Sequence, residues 1–323
     1  FNFFANVRQN SFDYYQNFFP ISYEESPVTI VAIDEKSLEE YGQFPWPRNL
    51  LASLVDKIGK AGAIVIGIDI LLPEEDRTSL DKIAQQYQLD KEKFKDFYFQ
   101  LSNDQLLSNV FRQYNVVMGL SPAFYVQKKT KPIKERIRYT VEKKGSINTS
   151  SYFYYPESLH SLNIFEQNVR GLGNLGYVPE KDGVVRKVPL MIKIGQKMRP
   201  SMELEMIRTA LNQKKFYLSE KYMQGHFVSI GDYSIPTDQQ SQKWIYYKNP
   251  LPQQYISAAD VLNETFNIEY IQNKEGLEFL STVDDKSVNL ILTDPPYITS
   301  SETGMGNLYK QIQENYIHSS NCI

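Results

Sequence analysis

Four side chains in the first quarter of the chain have the types and spacing to hold a ligand. Asp34 and Asp69 each end an apolar run, Asp76 follows shortly after the second, and Arg48 stands between the two runs. Carboxylates that end neighbouring parallel strands would lie at the carboxyl edge of an open α/β sheet, where such sheets bind their ligands. Close together they would repel, which raises one pKa unless Arg48 or a cation compensates. Asp34, Arg48, Asp69 and Asp76 therefore read either as a ligand or cation site or as a structural Asp–Arg network capping helix and strand ends. Trp46 sits between Pro45 and Pro47, which fix φ on both sides and present the indole rigidly, to plug a core or to wall a ligand pocket. Further on, Asp182-Gly183 is turn chemistry, and Arg186 behind it is a candidate for the same edge.

Other chemistry is sparse. His160 and His226 have no Ser, Cys or acidic partner at a recognisable spacing, so no catalytic chemistry is expected around them. Gly171, Gly173 and Gly176 spell a GxGxxG, but they enter a strand rather than open a helix, and as a phosphate loop the motif fails its context. The one cysteine, Cys322, excludes an intrachain disulfide and a thiolate cluster for zinc, and no metal site is expected.

The elements that must position these residues follow from periodicity. Residues 28–33 form a continuous β-branched run, typical of a strand buried on both faces. Leu50, Leu51, Leu54, Val55 and Ile58 recur at helical spacing, Gly62 closes that helix, and residues 64–71 form a second apolar strand. Strand, helix and strand with short links predict a right-handed βαβ unit and a parallel pair. A helix over 104–114 and a strand over 115–120 follow. Residues 81–100 read as a polar, solvated insertion. Two apolar runs flank the turn at 179–183 and predict a β-hairpin spanning 171–194. A helix is expected over 202–211, and strands over 227–236 and 244–247. The expected fold is α/β: a mixed sheet with a parallel βαβ core, added antiparallel hairpins and flanking helices.

Bulk properties set limits. With 41% apolar and 23% charged residues, the 323-residue chain has an ordinary globular composition, long enough to bury a core. A formal net charge of −3 gives no global basic field for nucleic acid. The basic run at 128–144 is either an anionic-lipid or nucleic-acid patch or an exposed loop. No segment approaches the roughly 18 apolar residues that a membrane span requires. The aromatic opening FNFFANVRQNSFDYYQNFF reads as a stretch just after a membrane helix, its aromatics in the interfacial belt, or as an amphipathic helix packed on its own domain.

Four ordered stretches carry a family resemblance: residues 11–16 (SFDYYQ), Ile33-Asp34 with Phe44-Pro45-Trp46-Pro47-Arg48, Gly67-Ile68-Asp69 with Asp76, and Asp182-Gly183-Val184-Val185-Arg186 ahead of Pro200-Ser201. From about residue 12 to 266 the chain resembles the second class of CHASE domains, although that family more often has Phe where Leu72 stands. The resemblance implies an extracytoplasmic, periplasmic sensor module of a membrane-bound bacterial cyclase or kinase receptor, without cofactor or catalysis of its own. It would read a small-molecule or protein signal, sit between membrane helices absent from this chain, and allow a homodimer. Asp34, Trp46, Arg48, Asp69, Asp76 and Arg186 become the candidate ligand-binding residues.

Near residue 267 the character of the sequence changes, which divides the chain into an entry segment (1–26), a sensor domain (27–266) and a tail (267–323). In the tail, IEYIQNKEGLEFLSTVDDKSVNLILTDPPY resembles the opening of DNA methyltransferases that act on adenine N6 or cytosine N4. That resemblance implies a catalytic tetrad of Asp294, Pro295, Pro296 and Tyr297, whose Asp side chain and first Pro carbonyl hold the amino group of a flipped base while Tyr297 stacks on it. S-adenosylmethionine, DNA and a cytoplasmic location belong to this alternative. No glycine-rich turn follows a strand to hold the methyl donor, and Gly304-Met305-Gly306 follows none, so the tail is expected to be a truncated, inactive fragment joined by a fusion, a recombination scar or a misassembled sequence.

Overall fold

The computed structural model describes residues 2–19, 28–96, 100–125, 138–221, 225–247 and 254–266. The methylase-like tetrad Asp294, Pro295, Pro296 and Tyr297, the tail from residue 267 and much of the basic run lie outside them.

Three short parallel strands organise the fold: Ile66–Ile68, Val116–Ala123 and Gly171–Asn174, with Val116–Ala123 in the middle. The middle strand is apolar and almost wholly buried, as a strand covered on both faces must be. Its far end pairs antiparallel with the edge strand Glu157–Leu159. Side chains alternate between faces. Ile66, Ile68 and Leu172 therefore point into a core shared with Leu51, Leu54 and Val55 of helix Arg48–Lys60, Phe111 of helix Asn103–Gln113, and Phe165. On the opposite face, Gly67, Gly171 and Gly173 make room for helix Met202–Ala210. A Cβ at Gly173 would strike the Met202 backbone, and at Gly171 the Glu205 carboxylate. The GxG of the sequence thus serves close helix–sheet packing.

A second layer is mostly antiparallel. Strands Lys215–Lys221, Gly225–Ile230 and Tyr233–Thr237 form a meander, and Thr140–Lys144 adds in parallel to its first strand. Phe216, Leu218, Val228, Ile230 and Leu204 build a separate apolar cluster there.

The α/β class and the helices at 103–113 and 202–210 match expectation. Two pairings do not. Strand Ile30–Ala32 does not join the sheet of Ile66–Ile68; it pairs in parallel with Tyr255–Ser257, far along the chain. A late segment has taken the edge that a local βαβ unit would have used. The expected 171–194 hairpin is not formed either. Its turn exists, closed by Gly183 N–H to Glu180 O at 2.9 Å, with Gly183 at φ +82°. Its two arms separate, however: Gly171–Asn174 goes to the parallel sheet, and Lys187–Pro189 pairs with Gln242–Trp244. The 81–100 stretch is only partly solvated, because helix Leu80–Gln86 buries Ala84 completely.

The aromatic N-terminal stretch forms helix Asn2–Phe18, and it packs on the chain's own domain. Phe12 lies 4.3 Å from Trp244 ring to ring, and Gln16 Nε2 donates to Ile245 O at 2.9 Å. Tyr14, Tyr15 and Phe18 remain exposed. No described helix is long and apolar enough to cross a membrane.

Candidate functional site

Trp46 is a core residue. It is 1% exposed, its indole N–H donates to Gly42 O at 2.8 Å, and the Tyr41 ring lies 5.8 Å away. Its rigid seat fixes Arg48, the first residue of helix Arg48–Lys60, whose backbone N–H has no partner within the helix. Asp76 fills that need: Arg48 N–H donates to Asp76 Oδ2 at 2.8 Å, while Thr78 and Asn103 donate to the same carboxylate. Burial pushes the Asp76 carboxyl up, but these donors outweigh it and hold it below its ordinary value. Asp76 N–H in turn donates to Asp104 Oδ2 at 3.0 Å. The Arg48 guanidinium is buried, with Nε 3.9 Å from Asp104 Oδ1, and neither of these two atoms has a hydrogen bond. Burial raises Asp104, against the pull of the Asp76 N–H and Arg48. Sequence reasoning missed Asp104, although it stands in the first turn of a helix that periodicity predicts.

Asp34 belongs to another network. It caps helix Glu35–Tyr41, accepting from Ser37 N–H at 3.0 Å, and the hydroxyls of Ser37 and Ser257 both reach it at 2.7 Å. Burial pushes its carboxyl up, and the two serines pull it lower still than its ordinary value. Ser257 reaches it because Ala32 and Ser257 are in register, so the strand exchange that removes Asp34 from the expected rim also supplies its partner. With Ile30–Ala32 and Ile66–Ile68 in different sheets, Asp34 and Asp69 do not end neighbouring strands of one sheet. Asp69 acts on helix Met202–Ala210 only weakly: burial pushes Glu203 up to about 7 against hydrogen bonds from Ser201 and its own backbone, and the Asp69 charge adds a smaller push. Glu203 Oε2 is buried without a hydrogen bond. Two residues on, Glu205 is fully buried but paired with Arg208 through two 2.7 Å contacts; burial still raises it to about 7.

Arg186 shares no partner with Arg48 and holds the N-terminal helix. Its Nε and Nη2 donate to Asp13 at 2.9 and 2.7 Å, Nη1 to Glu180 at 2.8 Å, and Nη1 and Nη2 to Asp182 at 3.0 and 2.7 Å. Hydrogen bonds from Arg186 hold Asp13 and Asp182 below the usual carboxylate range. The 179–186 turn thus works as a clasp, and every residue of it sits in a stretch singled out from the sequence. A family model described as the CHASE2 domain matches residues 1–288. The chain belongs to the CHASE2 family. No curated protein and no solved structure matches it.

CHASE2 domains are extracytoplasmic sensors. The match crosses the junction expected near residue 267 and takes in the first part of the segment likened to methyltransferases; none of the comparisons supports that likeness. Among the described residues, no group of three or more His, Cys, Asp and Glu side chains is placed to hold a metal ion.

One further cluster in this CHASE2 domain overturns an expectation. His160 has partners on both ring nitrogens. Ser158 Oγ lies 2.8 Å from Nε2, and the Glu166 carboxylate lies 3.0 and 3.1 Å from Nδ1. The signal was Ser-x-His in an extended segment, which puts both side chains on one side of the strand. Glu166 comes back from the next helix, Asn163–Glu166, a fold-back that spacing alone does not show.

Proposed function

We propose that this CHASE2 chain is the sensory part of a membrane-bound bacterial signalling receptor of the cyclase or kinase type, reading a small-molecule or protein signal outside the cytoplasm. Family membership supports the sensor, and the Arg186 clasp supports the receptor. A buried guanidinium joins the N-terminal helix to the domain through Asp13, so a rearrangement around the 180–186 turn pulls on that helix. Signal entry is assigned to the Trp46, Arg48, Asp76 and Asp104 cluster, where two buried polar atoms have no hydrogen bond. Asp34 and Asp69 belong to the supporting frame.

The test is a chimera in which the whole chain is displayed outside the cytoplasm and joined through a spanning helix to a kinase transmitter with a transcriptional reporter. Asp13→Ala and Arg186→Ala should each shift basal output at unchanged protein level. Output indifferent to both would remove the proposed route. Protease added to intact spheroplasts should cleave the displayed chain; protection of the natural full-length protein in its own membrane would overturn the location.

The second reading, a DNA amino-methyltransferase, rests on Asp294-Pro295-Pro296-Tyr297. Its test is methyl transfer from S-adenosylmethionine to DNA by the purified chain, with Asp294→Ala as control. No turnover is expected, and turnover lost in Asp294→Ala would make this reading the leading one.

A further inference from the structure

We propose that Ser158, His160 and Glu166 form a nucleophilic serine site that takes acyl esters, an activity separate from sensing. The chemistry is read from the geometry. An ionised carboxylate only accepts hydrogen bonds, so Glu166 at 3.0 and 3.1 Å fixes the proton of His160 on Nδ1. The Nε2 lone pair then faces Ser158 Oγ at 2.8 Å, within the range for a base that takes a hydroxyl proton. Nucleophile, base and orienting carboxylate are all in reach, which is the arrangement that activates a serine on unrelated folds.

The frame around the three residues is firm. Glu166 Oε1 also accepts Ser161 N–H at 3.0 Å. Ser161 Oγ accepts Leu72 N–H at 3.0 Å, and Leu162 N–H donates to Leu72 O at 2.8 Å, so the segment carrying His160 is tied twice to Leu72, beyond strand Ile66–Ile68. The Glu166 side chain is 2% exposed and that of His160 12%, which keeps water from competing for the His–Glu contact. Ser158 is only half-buried and lies on the edge strand, paired through Pro122 with the carboxyl end of Val116–Ala123. That is the edge of a parallel sheet where ligands collect. A buried polar relay ending in a reachable hydroxyl at this edge has the layout of a reaction site.

In the reaction, Ser158 Oγ attacks the ester carbonyl carbon and forms a C–O bond while its proton passes to His160 Nε2. The tetrahedral centre collapses, the bond to the alkoxy group breaks, and the alcohol leaves with the proton from His160. Water then attacks the acyl-serine, gives its proton to His160 and releases the carboxylic acid, and the proton returns to Ser158. Glu166 is a positioning residue in this scheme.

The purified full chain should be treated with a fluorophosphonate probe and with p-nitrophenyl acetate. With the probe, Ser158 Oγ bonds to phosphorus, fluoride leaves, and the proton goes to His160. The expected result is one adduct, mapped by mass spectrometry to Ser158, absent in Ser158→Ala and from chain unfolded in urea. Labelling in Glu166→Gln should be at least tenfold slower with the adduct still on Ser158. His160→Asn should label at least a hundredfold slower. Should that variant not fold, Ser158→Cys in the native background replaces it: its thiol should react with iodoacetamide at least tenfold faster than Cys322 of the same chain. No adduct on Ser158, labelling equal in native and unfolded chain, or a Ser158→Cys thiol no faster than Cys322 would each overturn the proposal.

Discussion

Arg48 and Arg186 are both buried among carboxylates, yet they are held in opposite ways. Arg186 directs its guanidinium at Asp13, Glu180 and Asp182 with five hydrogen bonds of 3.0 Å or less. Arg48 touches Asp104 only at 3.9 Å, and its best contact, to Asp76, comes from its backbone. The first arginine is complete, and its partners are partly exposed, so they lose little hydration to reach it. The second is enclosed with a partner that does not satisfy it, which is the costly arrangement for buried charge. A complete cluster joins parts of a structure firmly. An incomplete one leaves the lowest barrier to rearrangement, and that is where a ligand can bring the missing hydrogen bonds.

The largest effect should come from breaking the complete cluster. Arg186→Ala leaves three carboxylates facing one another and loosens the N-terminal helix, which Phe12 and Gln16 still hold, at a cost of about 3 kcal/mol. This is the low end for an interrupted buried pair, because water screens Asp13 and Asp182. The pH dependence gives a second signature. Asp13 and Asp182 have lowered folded pKa values, so their contribution is present above the ordinary carboxylate value near 3.8 and is lost as pH falls through the lowered values. Denaturant titrations from pH 2 to 7 should show this acid-side loss in the natural chain and much less of it in Arg186→Ala. Equal acid profiles would mean that the clasp is not made in solution.

Glu203 sharpens the contrast between satisfied and unsatisfied charge within one helix. Its folded pKa of about 7 lies above the ordinary 4.5, so the native state holds the proton longer than the unfolded chain does. Its contribution is therefore fully present below pH 4.5 and is lost as pH rises to 7, by up to about 1.4 kcal/mol per pH unit. Glu203→Gln should flatten that slope and leave the chain about 2 kcal/mol more stable than the natural one at pH 8. Glu205, raised by burial to about 7 as well, should give the same slope, but Glu205→Gln also removes a carboxylate oxygen that Arg208 needs, so its gain at pH 8 should be smaller than that of Glu203→Gln. If both variants behave alike, pairing with Arg208 does not distinguish the two residues.

The sequence showed these clusters unevenly, and chain separation explains how. Helices 48–60 and 103–113 were legible because 3.6-residue periodicity is local, and the α/β class followed from apolar runs. Trp46 beside Arg48, with its two prolines, was visible as a rigid unit, although only the structure shows the indole inside the core. The partner of Ile30–Ala32 lies some 225 residues away, and no local pattern distinguishes Tyr255–Ser257 from the nearer Ile66–Ile68. Asp13 and Arg186 were both inside recognised stretches, but their pairing across 173 residues was not readable from either. The turn at 182 was right and its hairpin wrong, since turn chemistry fixes a reversal and leaves open which sheets receive the two arms. The acidic partner of His160 returns from the following helix turn rather than standing at a familiar spacing, so spacing alone does not show it.

The smallest effect is expected from Arg48→Met, the substitution that tests the incomplete cluster directly. Met keeps most of the volume and the backbone N–H that Asp76 accepts, so the start of helix Arg48–Lys60 remains capped. What disappears is a guanidinium whose Nε makes no hydrogen bond and whose nearest carboxylate atom makes none either. Replacing such a charge with an apolar side chain costs under about 1 kcal/mol, and losing Arg48 removes one of the groups that hold the burial-raised Asp104 carboxyl down, so its upward shift grows. Arg48→Met should therefore lose stability as pH rises through the raised Asp104 value, and adding Asp104→Asn should restore a flat profile. Thermal melts of the two variants from pH 5 to 8 measure this. If Arg48→Met lost as much as Arg186→Ala at pH 5, the Arg48 cluster would be as firmly bonded in solution as the clasp, and signal entry would have to be sought elsewhere in the domain.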